Sequence, residues 1–410
     1  MKNATCEKVE EKSPLKIAFV LSYLADRFGG PVTAVRGLGK TLSGRDVDVS
    51  YWAPGTAQDR RELEGLDNSH LYDFNWPHRW HRSKGLVRGL CESIASIDLL
   101  HVNGFWLHPT YAASRLACSR GVPYILRPAG TLEPWRLKNG RLKRLKKTIY
   151  LKFLAKSMMA NAACLQADSD QEAKHFRQMG YRGPITVIPN GIDISEFTSG
   201  DRSEAEAYWP ELKERPVVLF MSRLSREKGL DQLIPVWADL VKSAPYKDAI
   251  LVIAGPDDRG YGKTVESIID KCGMHSHFLL TGMVRGERKL ALLRRADVFI
   301  LPSYSENFGI VVAEALACEI PVITTTGTPW QELQAVDAGR WVRPEKAELA
   351  CALLELLDMS ESQRRTMGQR GRALVEKRYT WDAAANRFLI VYECILRGRP
   401  IPLNPEPNIE

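Results

Sequence analysis

The stretch SYSENFGIVVAEALA, residues 303–317, carries two carboxylates, Glu306 and Glu314, eight residues apart. Glu306 lies in a polar segment that follows the apolar run DVFILP, and this run predicts a buried strand that ends at Pro302. Glu314 lies among aliphatic residues that predict a helix beginning near Phe308. A carboxylate among apolar side chains is costly unless a partner satisfies it. The pattern therefore predicts a strand, a polar loop and a helix that carry a binding site, although a surface helix with two ordinary glutamates remains open.

The loop and the first turn of this helix supply hydrogen-bond donors, because the first backbone N–H groups of a helix have no partner within it. Ligands of parallel sheets bind beyond the carboxyl ends of the strands, so these groups can donate to sugar hydroxyls or phosphate. A pair of ribose hydroxyls would satisfy Glu314, and Glu306 could hold sugar hydroxyls or stabilise positive charge at a reacting carbon. The candidate backbone contacts are Asn307, Phe308, Gly309, Ile310 and Val311.

Strand-like runs alternate with helix-length segments along nearly the whole chain of 410 residues. This alternation is typical of an α/β fold with parallel sheets built from βαβ units. One series of strands ends near residue 193 and a second begins near residue 216, and the polar stretch between them predicts a linker. We therefore expect two facing, Rossmann-like, doubly wound domains, residues 1–195 and 196–379, with a ligand cleft between them.

The last part of the chain contains two different patterns. Residues 380–397 have the apolar spacing of a helix, which we expect to pack back on the first domain. The end of the chain after Arg399 is rich in proline, and this composition predicts a loose tail.

The composition is basic and otherwise ordinary. The net charge is +8, from 57 Lys and Arg against 49 Asp and Glu, which suggests an anionic partner such as a nucleotide, a phosphate, a nucleic acid or an anionic lipid. The eight cysteines form no C-x-x-C pair and predict reduced thiols in a cytoplasmic protein. No apolar run approaches about 18 residues, so we expect no membrane-spanning helix. No signal peptide and no metal site are expected either.

Two turns that follow strands carry groups suited to phosphate. Gly29 and Gly30 precede a helix and let the backbone approach a phosphate, although an ordinary strand-to-helix turn fits equally well. In MSRLSREKG, Arg223 and Lys228 follow the first strand of the second domain and suit a diphosphate, although a solvated basic loop remains open. The acidic residues of DSD, residues 168–170, are interpreted as part of a helix cap rather than as a metal site.

In this setting the two glutamates resemble the E-x7-E signature of the retaining glycosyltransferases of family four, which have the two-domain GT-B fold. Other segments follow in the order of that family: a Gly-Gly loop, VIPNGID, SRLSREKG, LVIAGP, LTGMV and PSYSENFGIVVAEALA. The resemblance extends roughly from residue 16 to residue 397. The segments GTLEPW, residues 130–135, and GTPWQEL, residues 327–333, further resemble a subgroup that builds bacterial surface polysaccharides.

The resemblance implies a hexosyltransferase-type reaction that moves a sugar from a UDP- or GDP-linked donor to a glycan or lipid-linked acceptor. It also implies retention of the anomeric configuration, a role in cell-surface polysaccharide biosynthesis, and no need for a metal ion or cofactor. In such a reaction the acceptor attacks from the side of the leaving group, and the phosphate takes the proton. The resemblance therefore implies no dedicated protein base.

The resemblance also implies a role for each motif residue. Arg223 and Lys228 would hold the donor diphosphate, and Glu306 would contact the transferred sugar, so these three residues are the catalytic candidates. Glu314 would hold the ribose of the nucleotide. The remaining donor contacts would be Gly29 and Gly30 near the phosphate and the backbone of Met283 and Val284 at the base.

Two loops of the first domain depart from the family pattern. Family members often have H-x-H-G near the third strand, whereas HVNG keeps His101 and has Asn103. The next strand often leads into His or Arg before glycine, whereas RPAG has Ala129. These loops should contact the acceptor and the sugar, so His101, Asn103 and Arg127 are the candidate contacts. A purely structural role for His101 is equally open.

The segment LKNGRLKRLKKTIYLKFLAK, residues 137–156, combines many Lys and Arg residues with an apolar stripe at helical spacing. A basic amphipathic helix can lie on an anionic membrane, which would place the protein at the inner face of the membrane. The alternative, in which the stripe faces the domain core, remains open. The stripe consists of Leu142, Leu145, Ile149 and Phe153.

Two other functions compete with the glycosyltransferase hypothesis. A non-catalytic partner subunit that binds sugar nucleotides would keep Glu314 and the phosphate-binding cations but lose Glu306 or the turn glycine, and this chain retains all of them. A nucleic-acid binder is suggested by the basic charge, but no recognised nucleic-acid-binding module supports it. We therefore expect a nucleotide-sugar donor and no nucleic acid as partner.

Overall fold

A computed structural model of the protein describes residues 13–25, 29–63, 65–133, 147–197 and 200–406. Two parallel β-sheets, one in each half of the chain, organise these residues. The strands of the first sheet are β1 (Leu15–Val20), β2 (Val47–Pro54), β3 (Ser69–Tyr72), β4 (Leu99–Asn103), β5 (Tyr124–Arg127), β6 (Cys164–Ala167) and β7 (Ile185–Val187). Their order is β3-β2-β1-β4-β5-β6-β7, and all neighbours run parallel.

The second sheet repeats this design with six strands. They are β8 (Val217–Met221), β9 (Ile250–Ala254), β10 (Phe278–Gly282), β11 (Val298–Leu301), β12 (Val322–Thr325) and β13 (Gly339–Val342). Their order is β10-β9-β8-β11-β12-β13, again with parallel neighbours. Both strand orders reverse beside the first strand of the sheet, which is the position where doubly wound sheets bind ligands. The predicted α/β fold with two Rossmann-like sheets is confirmed.

Helices connect the strands and follow the second sheet. Within the described ranges, no helix combines the length and the apolar character needed to cross a membrane. The helices are α1 (Gly30–Ser43), α2 (Ala57–Glu62), α3 (Lys84–Ser93), α4 (His108–Arg120), α5 (Lys156–Ala160), α6 (Asp170–Gln178), α7 (Glu204–Tyr208), α8 (Leu230–Leu240), α9 (Gly262–Cys272), α10 (Gly286–Arg295), α11 (Ile310–Ala317), α12 (Glu332–Ala335), α13 (Lys346–Asp358), α14 (Glu361–Arg378) and α15 (Trp381–Leu396).

Each domain has its own apolar core. Successive residues of a strand point to opposite faces of the sheet. In β1, Ala18 and Val20 therefore join one buried cluster of the first domain, whereas Ile17 and Phe19 join a second cluster on the other face. A separate cluster in the second domain includes every residue of β8. The predicted division after residue 195 falls in the connection between β7 and β8.

Helix α15 lies on the first domain although it follows the second sheet in sequence. Its residues Phe388 and Tyr392 are buried in the same cluster as Phe19, and the helix contacts α1. Trp381 at its start fills the space beside Gly37, where an added Cβ would lie 2.3 Å from the indole ring. The chain therefore passes between the domains twice, once before β8 and once before α15.

The prediction of a loose tail after Arg399 is wrong for the part of the tail that the structure describes. The backbone N–H of Val187 in β7 donates to the carbonyl of Leu403 at 2.6 Å. The Glu406 carboxylate lies 3.2 Å from the guanidinium of Arg387, which is buried. Proline suits such a segment, because proline is tolerated in extended chain at the edge of a sheet. The tail therefore covers the edge of the first sheet.

Three local features differ from the sequence-based expectation. The strand-like runs of the sequence do not include the edge strands β3 and β13. In β3, SHLY, every residue is half-buried and there is no apolar run that would predict a strand. The stretch predicted as a linker contains α7, whose Ala205 is buried and whose Glu204 pairs with Arg294 at 2.8 Å. Of the basic segment, residues 137–146 lie outside the described residues, and the rest is helical with a π-helical turn at Leu151–Ala155.

Replacing Phe388 by alanine should lower the free energy of unfolding by about 3–5 kcal/mol, because its removal leaves a cavity in the core. Its side chain is 4% exposed, whereas that of Leu396 on the same helix is 43% exposed. Leu396→Ala should therefore change stability by about 0.5 kcal/mol or less. Urea unfolding of the two variants measures the difference, and equal effects would contradict the placement of α15 in the core of the first domain.

Candidate active site

An ion pair between Lys228 and Glu306 lies beyond the carboxyl ends of β8 and β11. Lys228 ends a short 3₁₀ turn, and Gly229 then turns the chain in the left-handed region with a φ of 73°. An added Cβ at Gly229 would lie 2.1 Å from the carbonyl oxygen of Pro302, so only glycine allows this approach. The approach brings the Lys228 ammonium against the Glu306 carboxylate, and these side chains are only 7% and 17% exposed.

The segment GTPW, residues 327–330, holds the Glu306 loop in place. The backbone N–H of Glu306 donates to the carbonyl of Gly327 at 2.8 Å. The indole N–H of Trp330 donates to the carbonyl of Phe308 at 2.6 Å. Gly327 packs so closely on this loop that an added Cβ would lie 2.5 Å from a carbonyl oxygen. The segment therefore fixes the backbone that carries Glu306 and leads into α11.

Glu314 is a buried carboxylate inside α11 with one unused oxygen. Its Oε1 accepts a hydrogen bond from the ammonium of Lys289 at 2.6 Å. Its Oε2 is buried without a hydrogen-bond partner among the described residues. Burial raises the pKa of Glu314, and the charge of Lys289 opposes this rise. A ligand hydroxyl that donates to Oε2 would relieve the cost of burying that oxygen.

Arg223, Met283 and Val284 follow other strands of the second sheet. Arg223 comes just after β8, has a half-exposed side chain, and pairs with Asp258 at 2.9 Å. Gly255 brings the loops that follow β8 and β9 together, since an added Cβ there would lie 1.9 Å from a carbonyl oxygen just after β8. Met283 and Val284 lie in the turn between β10 and α10, and Met283 is 53% exposed. Arg223 is thus paired outside the Lys228–Glu306 contact.

Asp168, just after β6, links the two domains. Its Oδ1 accepts a hydrogen bond from Nε of Arg127 at 3.0 Å, and its Oδ2 accepts one from Nδ2 of Asn307 at 2.6 Å. Asn307 belongs to the loop that carries Glu306, so a buried carboxylate of the first domain holds this loop. A second bond joins the same surfaces, because the Ser305 hydroxyl donates to Glu133 at 2.7 Å. Interpreting DSD only as a helix cap misses this contact.

Glu172 organises the RPAG turn that faces Asn307. Its two oxygens accept backbone N–H bonds from Gly130 at 2.7 Å and from Asp168 at 2.8 Å. Burial, followed by the nearby charge of Asp168, raises the pKa of Glu172 to about 8, and the two backbone hydrogen bonds oppose this rise. Ala129 and Gly130 both have positive φ, and an added Cβ at Gly130 would lie 2.7 Å from Asn307. Glycine is therefore required where the two domains approach most closely in this turn.

His101 lies in the core of the first domain. Its ring packs against Phe19 at 5.0 Å and Phe388 at 5.2 Å between ring centroids, and its Nδ1 lies 3.1 Å from the Tyr392 hydroxyl. Burial, followed by the charge of Arg127, lowers the pKa of His101 to about 3. The imidazole is therefore neutral at physiological pH. This placement favours the structural interpretation of His101, and its role as an acceptor or sugar contact stays a prediction.

Asn103 and Arg127 line a cavity of about 190 Å³ at the carboxyl ends of β1, β4 and β5. Nδ2 of Asn103 donates to the carbonyl of His101 at 2.9 Å, and its Oδ1 is buried without a hydrogen-bond partner among the described residues. Tyr23 and Trp106 also line this cavity. The cavity therefore combines aromatic surface with an unused acceptor, a combination that suits a sugar ring.

Gly29 and Gly30 open α1 on the first domain. Gly29 has a φ of 73°, and an added Cβ at either glycine would meet no atom within 4 Å. The residues just before them, 26–28, lie outside the described ranges. Among the described residues, none lies against either glycine, and a helix N-terminus is favourable for an anion.

Two family profiles match the chain, one over each domain. The profile described as a glycosyl transferase 4-like domain matches residues 29–191, and the profile described as glycosyl transferases group 1 matches residues 201–374. The Lys228–Glu306 pair and Glu314 lie within the second match, and Asp168 and Glu172 lie within the first.

The chain belongs to glycosyltransferase family four.

Relatives of this chain include the D-inositol 3-phosphate glycosyltransferase of Segniliparus rotundus, 29% identical over 253 residues, which are 59% of this chain and 54% of that protein. The GDP-mannose-dependent monoacylated alpha-(1-6)-phosphatidylinositol monomannoside mannosyltransferase of Corynebacterium glutamicum is 30% identical over 212 residues, 49% of this chain and 54% of that protein. The chain thus spans about half the length of these curated relatives. HepE of Anabaena, solved with UDP-glucose, has 19% identity and a TM-score of 0.73 over 92% of this chain and 98% of that chain, and shows the GT-B fold.

In this family member the structure brings some of the predicted residues together and leaves others, such as Arg223, outside that contact. The loop after β11 carries Glu306 and Asn307, and Glu306 pairs there with Lys228. Glu314 follows on α11. The sequence analysis does not mark Lys289, and it interprets Asp168 only as part of a helix cap. Lys289 has no local signal beyond its place in a polar helix, whereas Asp168 has one: an acidic residue directly after a buried strand. Among the described residues, no three His, Cys, Asp or Glu side chains group to hold a metal ion.

Asp168→Asn should lower the free energy of unfolding by about 3–5 kcal/mol, because it leaves the buried Arg127 guanidinium without its counter-charge. Asp170→Asn is the matched control, since Asp170 is exposed in the first turn of α6 and should cost about 1 kcal/mol or less. Calorimetric unfolding of both variants measures the difference. Similar small losses in both variants would contradict the central position of Asp168.

Proposed function

We propose that the protein transfers a sugar from a UDP- or GDP-linked donor to a glycan or lipid-linked acceptor, with retention of the anomeric configuration. The observation that carries this proposal is the Lys228–Glu306 pair held in a loop that Asp168 of the other domain contacts. This arrangement puts a cation and a carboxylate at the sheet edge where doubly wound folds bind nucleotides. We further propose a role in the synthesis of cell-surface polysaccharide, in the cytoplasm, without a metal ion or cofactor.

The second domain would bind the nucleotide diphosphate. Lys228 has three N–H donors, so its ammonium can keep the Glu306 carboxylate and also donate to a phosphate oxygen. A ribose hydroxyl would donate a hydrogen bond to the buried Oε2 of Glu314, while the Lys289 ammonium balances the charge of the carboxylate. The first backbone N–H groups of α11 and the N-terminus of α1 would supply further donors to the phosphates and the sugar. Arg223 would reach the diphosphate only by leaving Asp258.

The sugar would be transferred by attack of an acceptor hydroxyl on the anomeric carbon from the face that the diphosphate leaves. The bond between that carbon and the diphosphate oxygen breaks, the acceptor oxygen bonds to the carbon, and the acceptor proton passes to the departing phosphate. Lys228 would stabilise the charge that grows on the leaving group, and Glu306 would stabilise the positive charge on the sugar ring. His101 is neutral and enclosed by aromatic rings, which supports assigning the proton to the phosphate.

The acceptor would bind to the first domain at the cavity lined by Asn103, Arg127 and Trp106. The names of two relatives support an anionic or lipid-linked acceptor, because one is named for inositol 3-phosphate and the other for a phosphatidylinositol mannoside. The basic segment 137–156 would then lie at the membrane surface. The hydrogen bonds that Asn307 donates to Asp168 and Ser305 donates to Glu133 would hold the acceptor side against the loop that carries Glu306.

A thermal-shift screen of UDP- and GDP-sugars should identify the donor, because a ligand that binds the folded protein raises its unfolding temperature. With that donor, Glu306→Gln should lower the turnover number about 100- to 1000-fold, the loss expected when one group that stabilises the transition state is removed. The control is Glu266→Gln, whose exposed carboxylate on α9 should leave turnover unchanged. Full turnover by Glu306→Gln would contradict the catalytic role. Donor binding without any transfer by the unmodified protein would favour a non-catalytic binding subunit.

A further inference from the structure

The loop DFNWPHRWHRSK, residues 73–84, presents aromatic and basic side chains on the first domain. Trp76 is 78% exposed, more than any other large apolar side chain in the described part of the chain. Arg79 and Lys84 are also exposed. An exposed tryptophan lacks the favourable free energy that burying such a large ring in a core or an interface provides. The exposure of Trp76 on a basic loop therefore suggests that this loop binds a partner.

Hydrogen bonds hold the backbone of this loop. The N–H of Asn75 donates to the carbonyl of Arg82 at 2.7 Å, and Oδ1 of Asn75 accepts from the N–H of Lys84 at 2.7 Å. The Arg82 guanidinium donates to the carbonyl of Trp76 at 3.3 Å. His81 anchors the loop to the end of β1, with its Nδ1 2.9 Å from the carbonyl of Ser22. The loop therefore presents Trp76 from a closed, anchored turn rather than from an unsupported end.

The loop lies beside the start of α4. Trp80 packs against His108 at 5.1 Å and Tyr111 at 6.3 Å between ring centroids. Both partners belong to the first turn of α4, directly after Trp106. The loop therefore contacts the first turn of α4.

The basic helical segment also contacts this region of the first domain, through Trp106. Trp106 packs against Tyr150 at 5.3 Å, and the Lys147 ammonium lies 5.4 Å from the Trp106 ring. In this segment Ile149 is 51% exposed and Phe153 is 68% exposed. We call residues 73–84, 105–111 and 147–156 together the aromatic-basic face. It carries three exposed large apolar residues from two separate stretches of sequence.

A positively charged cavity of about 520 Å³ lies at the end of this loop. Arg82, Lys84, Arg88 and His108 line it. Glu92 also lines the cavity but pairs with Arg88 at 2.9 Å. Asp73, at the start of the loop, pairs with Arg60 of α2 at 2.7 Å and does not line the cavity. The remaining positive charge is therefore available to a phosphate group.

We propose that the aromatic-basic face docks on an anionic lipid bilayer, with Trp76 at the level of the head groups and the cavity at Arg82 and Lys84 holding a lipid phosphate. Tryptophan prefers the membrane interface, and Lys and Arg near an anionic surface each strengthen binding. The exposed aliphatic side chain of Ile149 favours a membrane over nucleic acid, which is bound by cations and stacked rings. The inference adds the loop to the contact proposed for residues 137–156, and it does not depend on sugar transfer.

Flotation with lipid vesicles tests the proposal, using the full chain without donor or acceptor. The protein should bind vesicles of phosphatidylcholine mixed with phosphatidylglycerol, and its binding to pure phosphatidylcholine should be at least about ten-fold weaker because the cations then lack anionic partners. Raising the salt concentration should weaken the binding to mixed vesicles. Equal binding to both kinds of vesicle, or binding to neither, would overturn the proposal. Binding to a random oligonucleotide but not to the mixed vesicles would overturn it in favour of nucleic acid.

Variants separate the loop from the rest of the face. Arg79→Ala should weaken binding to the mixed vesicles about five-fold, the loss expected for one cation at an anionic surface, and Trp76→Ala should weaken it at least as much. The matched controls lie on the second domain: Lys263→Ala removes an exposed cation and Tyr208→Ala an exposed aromatic ring. Both should bind like the unmodified protein, and all four variants should keep its unfolding temperature. Normal vesicle binding by Trp76→Ala and Arg79→Ala would exclude the loop from the docking surface and overturn the inference.

Discussion

The ion pair between Lys228 and Glu306 is the interaction on which the proposed chemistry depends. Two largely buried charges lose much of their hydration, and such a pair persists only when the surrounding backbone fixes both partners. Here Gly229 permits the approach to Pro302, while Gly327 holds the Glu306 backbone. The protein's own backbone thus holds a cation and a carboxylate side by side. A diphosphate and a sugar ring with developing positive charge are complementary to this pair.

The link through Asp168 connects this pair to the other domain. Asp168 accepts hydrogen bonds from Asn307 and from Arg127, so one carboxylate contacts both the loop that carries Glu306 and a residue that lines the proposed acceptor cavity. Glu172 adds to this arrangement because it positions the turn whose glycine touches Asn307. The two halves of the chain are therefore joined by polar groups at the cleft as well as by the covalent connections. Polar contacts of this kind can open and close more readily than a large apolar interface, which suits the proposed entry of a donor and release of a nucleotide.

Local sequence patterns predicted the parts of the fold that local physics determines. The apolar run of β11 and the helix around Glu314 follow from burial and periodicity, and the resemblance carried by the two glutamates led to the correct fold. The edge strand β3 could not be predicted, since its half-buried residues show no apolar run. The tail was also misjudged, because its bonds to Val187 and Arg387 join distant parts of the chain. Asp168 has the local pattern of a helix cap, and only the packing of the second domain against it reveals its further contact.

Calorimetric titration of UDP and of GDP into the protein and into Lys228→Ala measures the contribution of Lys228 to nucleotide binding. We expect one of the two nucleotides to bind the unmodified protein and Lys228→Ala to bind it at least about ten-fold more weakly, the loss expected for a charge-assisted hydrogen bond to phosphate. Lys263→Ala, which removes an exposed cation of α9, should bind it like the unmodified protein. Equal affinity of the unmodified protein and Lys228→Ala for the nucleotide would contradict the account.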